Sequence, residues 1–288
     1  MYPVPFEYHR AGSVQEAVEL LTRYGEWAKL LAGGHSLLPL MKLRMAEPQH
    51  LVDIRRIPGL SGVREEDGAL VVGAATPHQT LERSPLVRQR LPILSEAAAQ
   101  IGDAQVRNMG TIGGSLAHAD PAADLPAVML AVGAELVAVG PKGKRTIPVD
   151  GFFVKLFTTT LTPGEMLTEV RIPLPRAGSG GAYAKFAHPA SRYALVGVAA
   201  MVTVAAGKIT AARVALTGVA AKAMRAGGTE SALVGMAAEA AVVASAAEKA
   251  TDGLTVRSDA RMDPDYWRAL AITFTRRAVV TALERAGG

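Results

Sequence analysis

Two pairs of adjacent glycines, about 80 residues apart, constrain this sequence more than any other feature. The first pair, Gly33-Gly34, follows the strand-like run Leu30-Leu31-Ala32 and precedes His35-Ser36-Leu37, where a helical pattern begins. The second pair lies in the segment Thr111-Ile112-Gly113-Gly114-Ser115. Glycine lets the backbone bend sharply and approach a ligand closely, so that main-chain amides can surround a phosphate. The sequence therefore predicts two loops that hold a diphosphate, as in a dinucleotide, from both sides.

Each glycine pair alone also fits a structural role, the first as a strand–helix turn capped by Ser36 and the second as an irregular β-turn. Neither loop has the Rossmann pattern G-x-G-x-x-G, the phosphate-loop pattern G-x-x-x-x-G-K-[ST] or the nucleophile elbow G-x-S-x-G. His118, Asp120 and Asp124 could bind a metal by residue type. However, the two aspartates precede Pro121 and Leu125-Pro126, which is typical of turn and helix-cap carboxylates. We therefore predict no metal site.

The composition excludes several kinds of chemistry. The chain of 288 residues has no cysteine, so it cannot carry a disulfide, a thiol nucleophile or an iron–sulfur cluster. Electron transfer would then need an organic cofactor or a partner that holds the metal. The net charge of +5 is not concentrated in a basic run, which argues against nucleic-acid binding. No stretch is long and apolar enough for a membrane span, and the N-terminus lacks a signal-peptide pattern, so we expect a cytoplasmic protein.

Hydrophobic periodicity and turn residues predict two regions separated by the small, polar segment 176–181. In the first region we expect helices that begin at Ser13 and Ser36 and cover about 77–100 and 124–132. An irregular stretch is expected at 101–115, and strands are expected at 27–31, 51–54, 63–75 (a hairpin), 134–139, 145–149 and 166–172. In the second region we expect strands at 182–188, 194–205 and 209–217, and then helices at about 229–250 and 263–285.

The two glycine loops, together with the segment from His118-Ala119-Asp120 to Asp124-Leu125-Pro126, resemble the FAD-binding medium subunit of molybdenum hydroxylases. The resemblance covers essentially the whole chain and is greatest to the aerobic carbon monoxide dehydrogenase branch, in which His35 recurs. It implies an α+β protein whose residues 1–176 form a vanillyl-alcohol-oxidase-type (PCMH-type) FAD-binding domain. This domain would have two α/β subdomains, about 1–56 and 57–176. Residues 182–288 would form a small C-terminal α+β domain of the carbon monoxide dehydrogenase flavoprotein type, an antiparallel sheet with helices.

The resemblance also implies which residues contact FAD, with both loops on its pyrophosphate and Tyr193 against its flavin ring. Leu161, Leu167 and Ile101 would lie near the ring, Asp124 would make a polar contact, and Lys185 would place a cation nearby. Without the resemblance, the leucines read as core residues, Tyr193 as a turn aromatic and Lys185 as an exposed strand residue. The complete predicted FAD-binding set is Ala32, Gly33, Gly34, His35, Ser36, Leu37, Ile101, Thr111, Ile112, Gly113, Gly114, Ser115, His118, Asp120, Asp124, Leu161, Leu167, Lys185 and Tyr193.

The function that the resemblance implies is electron transfer within an oxidoreductase complex. A large subunit would carry the molybdenum cofactor, a small subunit would carry two-iron two-sulfur clusters, and this chain would pass electrons through FAD to an external acceptor. The assembly would be a dimer of heterotrimers, with carbon monoxide dehydrogenase the first candidate and an N-heterocycle- or aldehyde-oxidising enzyme the alternative. We expect no catalytic acid, base or nucleophile on this chain, and a quinone or carrier protein rather than NAD as acceptor. A docking subunit without a cofactor and a stand-alone flavin oxidase are the rival interpretations.

Overall fold

A computed structural model of the chain describes residues 2–258 and 263–287 and arranges them around three main β-sheets. The outermost residues of the two predicted domains, 1 and 288, and the segment 259–262 lie outside the described residues. Within the described part, no helix combines the length and the apolar character that crossing a bilayer requires.

The first sheet is a small parallel one with the strand order β1-β3-β2. Its elements are, in chain order, β1 (Glu7–Arg10), α1 (Val14–Tyr24), β2 (Ala28–Leu31), α2 (Leu37–Lys42) and β3 (His50–Asp53). Helix α1 begins where Ser13 accepts a hydrogen bond from the Glu16 amide, and the Glu16 carboxylate accepts in turn from the Gly12 amide. The buried face of α1, which includes Val18 and Leu21, packs into the same core as Val52 of β3.

The second sheet is antiparallel, with the order β4-β5-β10-β6-β7, and a layer of short helices packs against it. Its elements are β4 (Val63–Glu66), β5 (Ala69–Gly73), α3 (His78–Arg83), α4 (Pro85–Arg90), α5 (Pro92–Ala99), α6 (Ala104–Met109), α7 (Ile112–His118), α8 (Asp124–Val132), β6 (Glu135–Gly140), β7 (Gly143–Pro148), β8 (Phe153–Lys155), β9 (Thr158–Thr159) and β10 (Met166–Pro173). Strands β8 and β9 form a separate two-stranded ribbon.

The third sheet is antiparallel with the order β11-β12-β13-β14. Its elements are β11 (Ser179–Ala187), β12 (Ala194–Ala205), β13 (Lys208–Thr217), β14 (Met224–Arg225), α9 (Gly227–Leu233), α10 (Ala240–Ala247) and α11 (Pro264–Ala286). Helix α11 packs on β11 and β12, with Trp267 fully buried. Tyr183, Ala199 and Ala215 belong to the same core as α5 and α8, so the third sheet is sandwiched between α11 and these helices.

The α+β class is confirmed, whereas several predicted elements are wrong in detail. The single helix expected at about 77–100 is three helices, because Pro85 and Pro92 lack the amide that would continue a helix and each begins a new one. The stretch 101–115, expected to be irregular, contains α6 and the start of α7. The helix expected at about 229–250 is interrupted between α9 and α10, and Trp27 lies in a 3-10 turn before β2.

The contact between β11 and α11 depends on a glycine. A Cβ atom added to Gly180 would lie 2.1 Å from the Ala282 carbonyl oxygen and 2.6 Å from the Ala286 nitrogen. We expect Gly180→Ala to lower the free energy of unfolding by about 1–3 kcal/mol, as overpacking usually does. Chemical denaturation measures this loss. Gly151→Ala is the matched control, because a Cβ there would meet nothing within 4 Å. Equal stabilities of the two variants would contradict the packing argument.

Candidate functional site

A cleft of about 560 Å³ lies where the two glycine segments meet the segment 118–124 and Tyr193. Most of the predicted residues line it: Ala32, Gly33, Gly34, His35, Ser36, Leu37, Ile101, Thr111, Gly113, Gly114, Ser115, His118, Asp120, Asp124, Leu167 and Tyr193. Ile112 is fully buried beneath the wall, Leu161 packs half-buried against the core, and Lys185 lies behind Asp124. The structure thus brings the two distant segments to one site.

The two glycine segments touch each other directly. A Cβ atom on Gly33 would lie 2.1 Å from the Met109 carbonyl oxygen and 2.7 Å from the Gly110 Cα. Real Cβ atoms are excluded at such distances, so the approach of the two backbones requires glycine at this position. The next residue, Gly34, has a φ of +72°, which is the left-handed region that favours glycine. Glycine is therefore required at Gly33 by the close backbone contact and favoured at Gly34 by its positive φ.

The first segment leaves its backbone amides available to a ligand. Among the described residues, no protein acceptor takes a hydrogen bond from the amides of Gly33 through Leu37, and this run borders the cleft. The His35 ring turns back so that its Nδ1 lies 3.0 Å from the Gly33 carbonyl oxygen, to which it can donate. Consecutive free amides form a concave surface that binds anions. The first glycine segment therefore has the free amides that the sequence prediction requires, and their contact with a diphosphate stays a prediction.

Most amides of the second segment are already hydrogen-bonded within the protein, so they do not form a run of free amides like that of the first segment. Contact of the second segment with a diphosphate stays a prediction. Ile112 donates to the Thr76 carbonyl (3.1 Å), Gly113 to the Ala74 carbonyl (2.8 Å), and Gly114 to Thr111 Oγ1 (3.1 Å). Thr111 caps α7, so the second glycine pair lies in the first turn of a helix rather than in an open loop. A Cβ on Gly113 would lie 2.6 Å from the Ala74 Cβ, so this glycine permits close packing of α7.

Asp124 lies at the start of α8 with only 5% of its surface exposed, and two residues of β11 hold it. The Tyr183 hydroxyl donates to its Oδ1 at 2.5 Å, and Lys185 Nζ lies 2.8 Å from the same oxygen. Lys185 also donates to the Gln100 carbonyl at 2.9 Å. Burial raises the pKa of Asp124, whereas the Lys185 charge opposes that rise. The Lys185 side chain is therefore a buried partner of a cleft carboxyl, and the interpretation as an exposed strand residue is wrong.

The segment that carries Asp120 and Asp124 is also bonded to the third sheet. Thr217 Oγ1 donates to the carbonyls of Pro121 and Ala123, both at 2.7 Å. The Ala194 amide donates to the Ala122 carbonyl at 3.2 Å. This wall of the cleft therefore depends on the ends of β12 and β13 for its position.

The remaining wall carries the aromatic residues Tyr193 and Phe157 and apolar side chains, with Ser191 and Arg192 beside Tyr193. Tyr193 lies at the turn between β11 and β12, and burial together with nearby Asp120 and Asp124 raises its pKa, so it is neutral. Leu167 and Ile101 are buried side chains on the same cleft, and the Phe157 ring lies 5.0 Å from the His118 ring. Burial lowers the pKa of His118, although Asp120 opposes that effect. The neutral Tyr193 ring and the apolar side chains near it suit a flat ring system.

Sequence reasoning missed His78, which lines the floor of the cleft with 4% of its surface exposed. Its backbone amide donates to the Gly110 carbonyl at 2.9 Å, and its Nδ1 has no hydrogen-bond partner within the described chain. Burial, with a smaller effect of His35, lowers the pKa of His78 to about 4. No sequence pattern marks this residue, because only the fold brings the start of α3 beneath both glycine segments.

The metal site considered from residue types is not formed. Within residues 2–258 and 263–287, the carboxylates and imidazole of Asp120, Asp124 and His118 are not gathered at metal-binding distance. Asp120 instead accepts from the Ala122 amide at 2.8 Å, as expected of a turn carboxylate.

Residues 4–175 match the FAD binding domain in molybdopterin dehydrogenase, and residues 181–282 match the CO dehydrogenase flavoprotein C-terminal domain. The chain therefore belongs to this family of flavoprotein subunits of molybdenum-containing oxidoreductases, as the sequence predicted. It is 46% identical to the carbon monoxide dehydrogenase medium chain of Hydrogenophaga pseudoflava, with 99% of each chain covered. It is 41% identical to the 6-hydroxypseudooxynicotine dehydrogenase complex subunit alpha of Paenarthrobacter nicotinovorans, covering 99% of this chain and 97% of that protein.

The fold is also similar to that of a solved carbon monoxide dehydrogenase structure. A solved structure of carbon monoxide dehydrogenase from Hydrogenophaga pseudoflava that lacks the Mo-pyranopterin moiety superimposes with a TM-score of 0.96. The identity is 48%, and the match covers 99% of both chains.

The buried His78 predicts a pH dependence of stability. Its ordinary pKa of 6.5 in the unfolded chain falls to about 4 in the fold, so the unfolded chain binds the extra proton between these values. The stabilising contribution is therefore complete above about pH 6.5 and decreases as the pH falls toward 4, by about 3 kcal/mol in all. We expect His78→Gln to flatten this part of the stability profile, measured by denaturation at each pH.

The control for this measurement is His35→Gln, because the His35 ring is exposed. This variant should keep most of the wild-type slope. The same slope for the His78 variant as for wild type would contradict the assignment.

Proposed function

We propose that this chain binds one FAD non-covalently in the cleft and serves as the electron-transfer subunit of a molybdenum hydroxylase complex. The observation that carries the proposal is the run of free amides from Gly33 to Leu37, in the same cleft as the neutral Tyr193 ring and the apolar side chains of Leu167 and Ile101. A diphosphate fits the first feature and an isoalloxazine ring the second. The cleft volume of about 560 Å³ lies within the range of ordinary ligand sites.

The residues present fit FAD part by part. The amides of the first glycine segment would hold the pyrophosphate, and the second segment would bring small residues close to it. Tyr193, Leu167 and Ile101 would contact the ring, and Asp124 would supply a polar contact that Tyr183 and Lys185 hold in place. Bound FAD would supply the capacity to take up electrons and release them to an acceptor. The full predicted set, including Leu161 and Ile112 as support behind the wall, is proposed on this basis.

The protein contributes binding and orientation rather than acid–base chemistry. His78 and Tyr193 are neutral, Asp124 is paired with Lys185, and Asp120 accepts a hydrogen bond from the Ala122 amide. Lys185 does not line the cleft, and its ammonium group pairs with Asp124, which does. Electron transfer between separate redox centres needs no proton donor in the protein, and the absence of a catalytic residue stays a prediction.

The proposed partners are inferred from the absence of cysteine in this chain and from its family. With no cysteine, the chain cannot hold iron–sulfur clusters, so electrons would come from a small two-iron two-sulfur subunit, and a large molybdenum subunit would oxidise the substrate. The dimer of heterotrimers and the cytoplasmic location stay predictions. Native mass measurement of the purified assembly tests the first, and cell fractionation tests the second.

The substrate would bind on the large subunit, so this chain does not select it directly. Carbon monoxide is the first candidate because of the 46% identity to a carbon monoxide dehydrogenase medium chain. A relative named for 6-hydroxypseudooxynicotine is 41% identical, the same value as a second carbon monoxide dehydrogenase medium chain. Identity at this level does not separate the substrates. Reduction of a dye by the purified complex with carbon monoxide, and separately with an N-heterocycle or an aldehyde, distinguishes them.

We also propose the two-domain division, 1–176 and 182–288, with subdomains of about 1–56 and 57–176. The change from the second to the third sheet falls at 174–178, where Gly178 has a φ of +76°. The two domains share a hydrophobic core through Tyr183 and Ala199, so we do not expect the C-terminal domain to fold independently.

Flavin retention should depend on the contact between the two glycine segments. In Gly33→Ala, the new Cβ would collide with the Met109 carbonyl and push the segments apart. We expect the FAD content of the purified complex to fall at least about tenfold. Absorbance of the flavin released on denaturation, per copy of this chain, measures it.

Gly151→Ala is again the control and should keep one FAD per chain. Circular dichroism and co-purification of the partners verify that the Gly33 variant is folded and assembled. A wild-type complex without flavin, or a Gly33→Ala complex with full flavin, contradicts the proposal and favours a docking subunit.

Tyr193 should be tested separately, because its proposed role is contact with the ring and not with the diphosphate. Tyr193→Phe keeps the aromatic face and should retain FAD with near-wild-type affinity. Tyr193→Leu removes the face and should weaken binding by about 1–3 kcal/mol, roughly 5- to 150-fold, and increase the fluorescence of the bound flavin. Fluorescence titration of deflavinated complex measures both effects. Equal affinity and fluorescence of the two variants would exclude stacking at Tyr193.

A further inference from the structure

Two histidines and a glutamate meet on one face of the parallel sheet, away from the cleft. Glu7 and His9 are alternate residues of β1, so both point to the same side, and the strand register places His50 of β3 opposite Glu7. His9 Nε2 lies 3.0 Å from His50 Nδ1, and a Glu7 carboxylate oxygen lies 3.8 Å and 3.3 Å from these two nitrogens. None of the three residues lines the cleft.

These separations match those between the ligands of a zinc ion. Ligand atoms that are each about 2.1 Å from a tetrahedral ion are about 3.4 Å apart. The three observed distances, 3.0, 3.3 and 3.8 Å, lie on both sides of that value. A single position about 2 Å from all three atoms therefore exists without movement of the backbone. Two imidazoles and a carboxylate are a donor set that zinc prefers and magnesium does not.

The surroundings hold the two rings in this arrangement. Tyr24, at the end of α1, stacks on His50 with ring centroids 3.6 Å apart and on His9 at 5.2 Å. The histidine side chains are 22% and 14% exposed, whereas Glu7 is 71% exposed and leaves one side of the triangle open to water. Each imidazole can carry its N–H on its outer nitrogen, so both facing nitrogens can offer lone pairs to a cation.

We propose that Glu7, His9 and His50 form a binding site for Zn²⁺ that joins β1 to β3, with water as the fourth ligand. The site replaces the hydrogen bond between the two rings by two bonds to one ion. Its position is at the opposite end of β3 from Ile54, which lines the cleft, so the site is independent of the proposed FAD function. The sequence prediction of no metal site did not consider these residues, because His9 and His50 are 41 positions apart.

The test uses the purified complex, equilibrated with zinc chloride at a fixed low free concentration and separated from excess metal. We expect about one zinc per copy of this chain in the wild type, measured by mass spectrometry of the metals. His9→Gln and His50→Gln should each lower zinc affinity at least about tenfold. The control Glu47→Gln removes an exposed carboxylate outside the triangle and should leave the content unchanged.

A second measurement does not depend on the variants. X-ray absorption at the zinc edge of the wild-type complex should show nitrogen and oxygen ligands at about 2.0–2.1 Å with the outer-shell signal of imidazole. A large excess of Mg²⁺ should not displace the zinc. A wild-type complex that retains no zinc, a spectrum without imidazole, or equal zinc content in wild type and His50→Gln would each overturn the proposal.

Discussion

The approach of Gly33 to Met109 and Gly110 is the contact on which the cleft depends. It brings the end of β2, in the parallel sheet, against the turn between α6 and α7, in the antiparallel region. Side chains cannot mediate an approach this close, because a Cβ on Gly33 would lie 2.1 Å from a carbonyl oxygen. The two sheets are thus joined at a point where backbone meets backbone. The free amides, the floor at His78 and the small residues of α7 are arranged around that point.

The two glycine pairs near this contact have different structural roles. The first pair provides the sharp turn and the free amides, whereas the second pair allows α7 to pack tightly on the backbone at Ala74. The cleft therefore has free amides on one side and a close-packed helix on the other.

The two glycine segments were recognisable from the residues themselves, because glycine pairs and turn residues act locally. The overall fold class and the other cleft residues, such as Ile101, Leu167 and Tyr193, were predicted from the resemblance to the family. The sequence did not reveal what depends on tertiary contacts. His78 has an ordinary sequence context, and only burial beneath both segments makes it notable. Lys185 lies in an alternating strand, and the packing of β11 on α8 decides that it is buried beside Asp124. Other errors were avoidable: Pro85 and Pro92 are helix-start signals, and Thr111 is a common helix cap.

The wall that carries Asp120 and Asp124 has a thermodynamic consequence beyond its geometry. Thr217, Ala194 and Tyr183 attach it to the third sheet, and Trp267 of α11 is buried in the core on the opposite face of that sheet. Occupancy of the cleft and cooperative unfolding of the C-terminal region are consequently linked equilibria. A ligand that saturates the cleft would slow amide hydrogen exchange in β12 and β13. A destabilising substitution in the core around Trp267 would shorten the residence time of the ligand in the cleft.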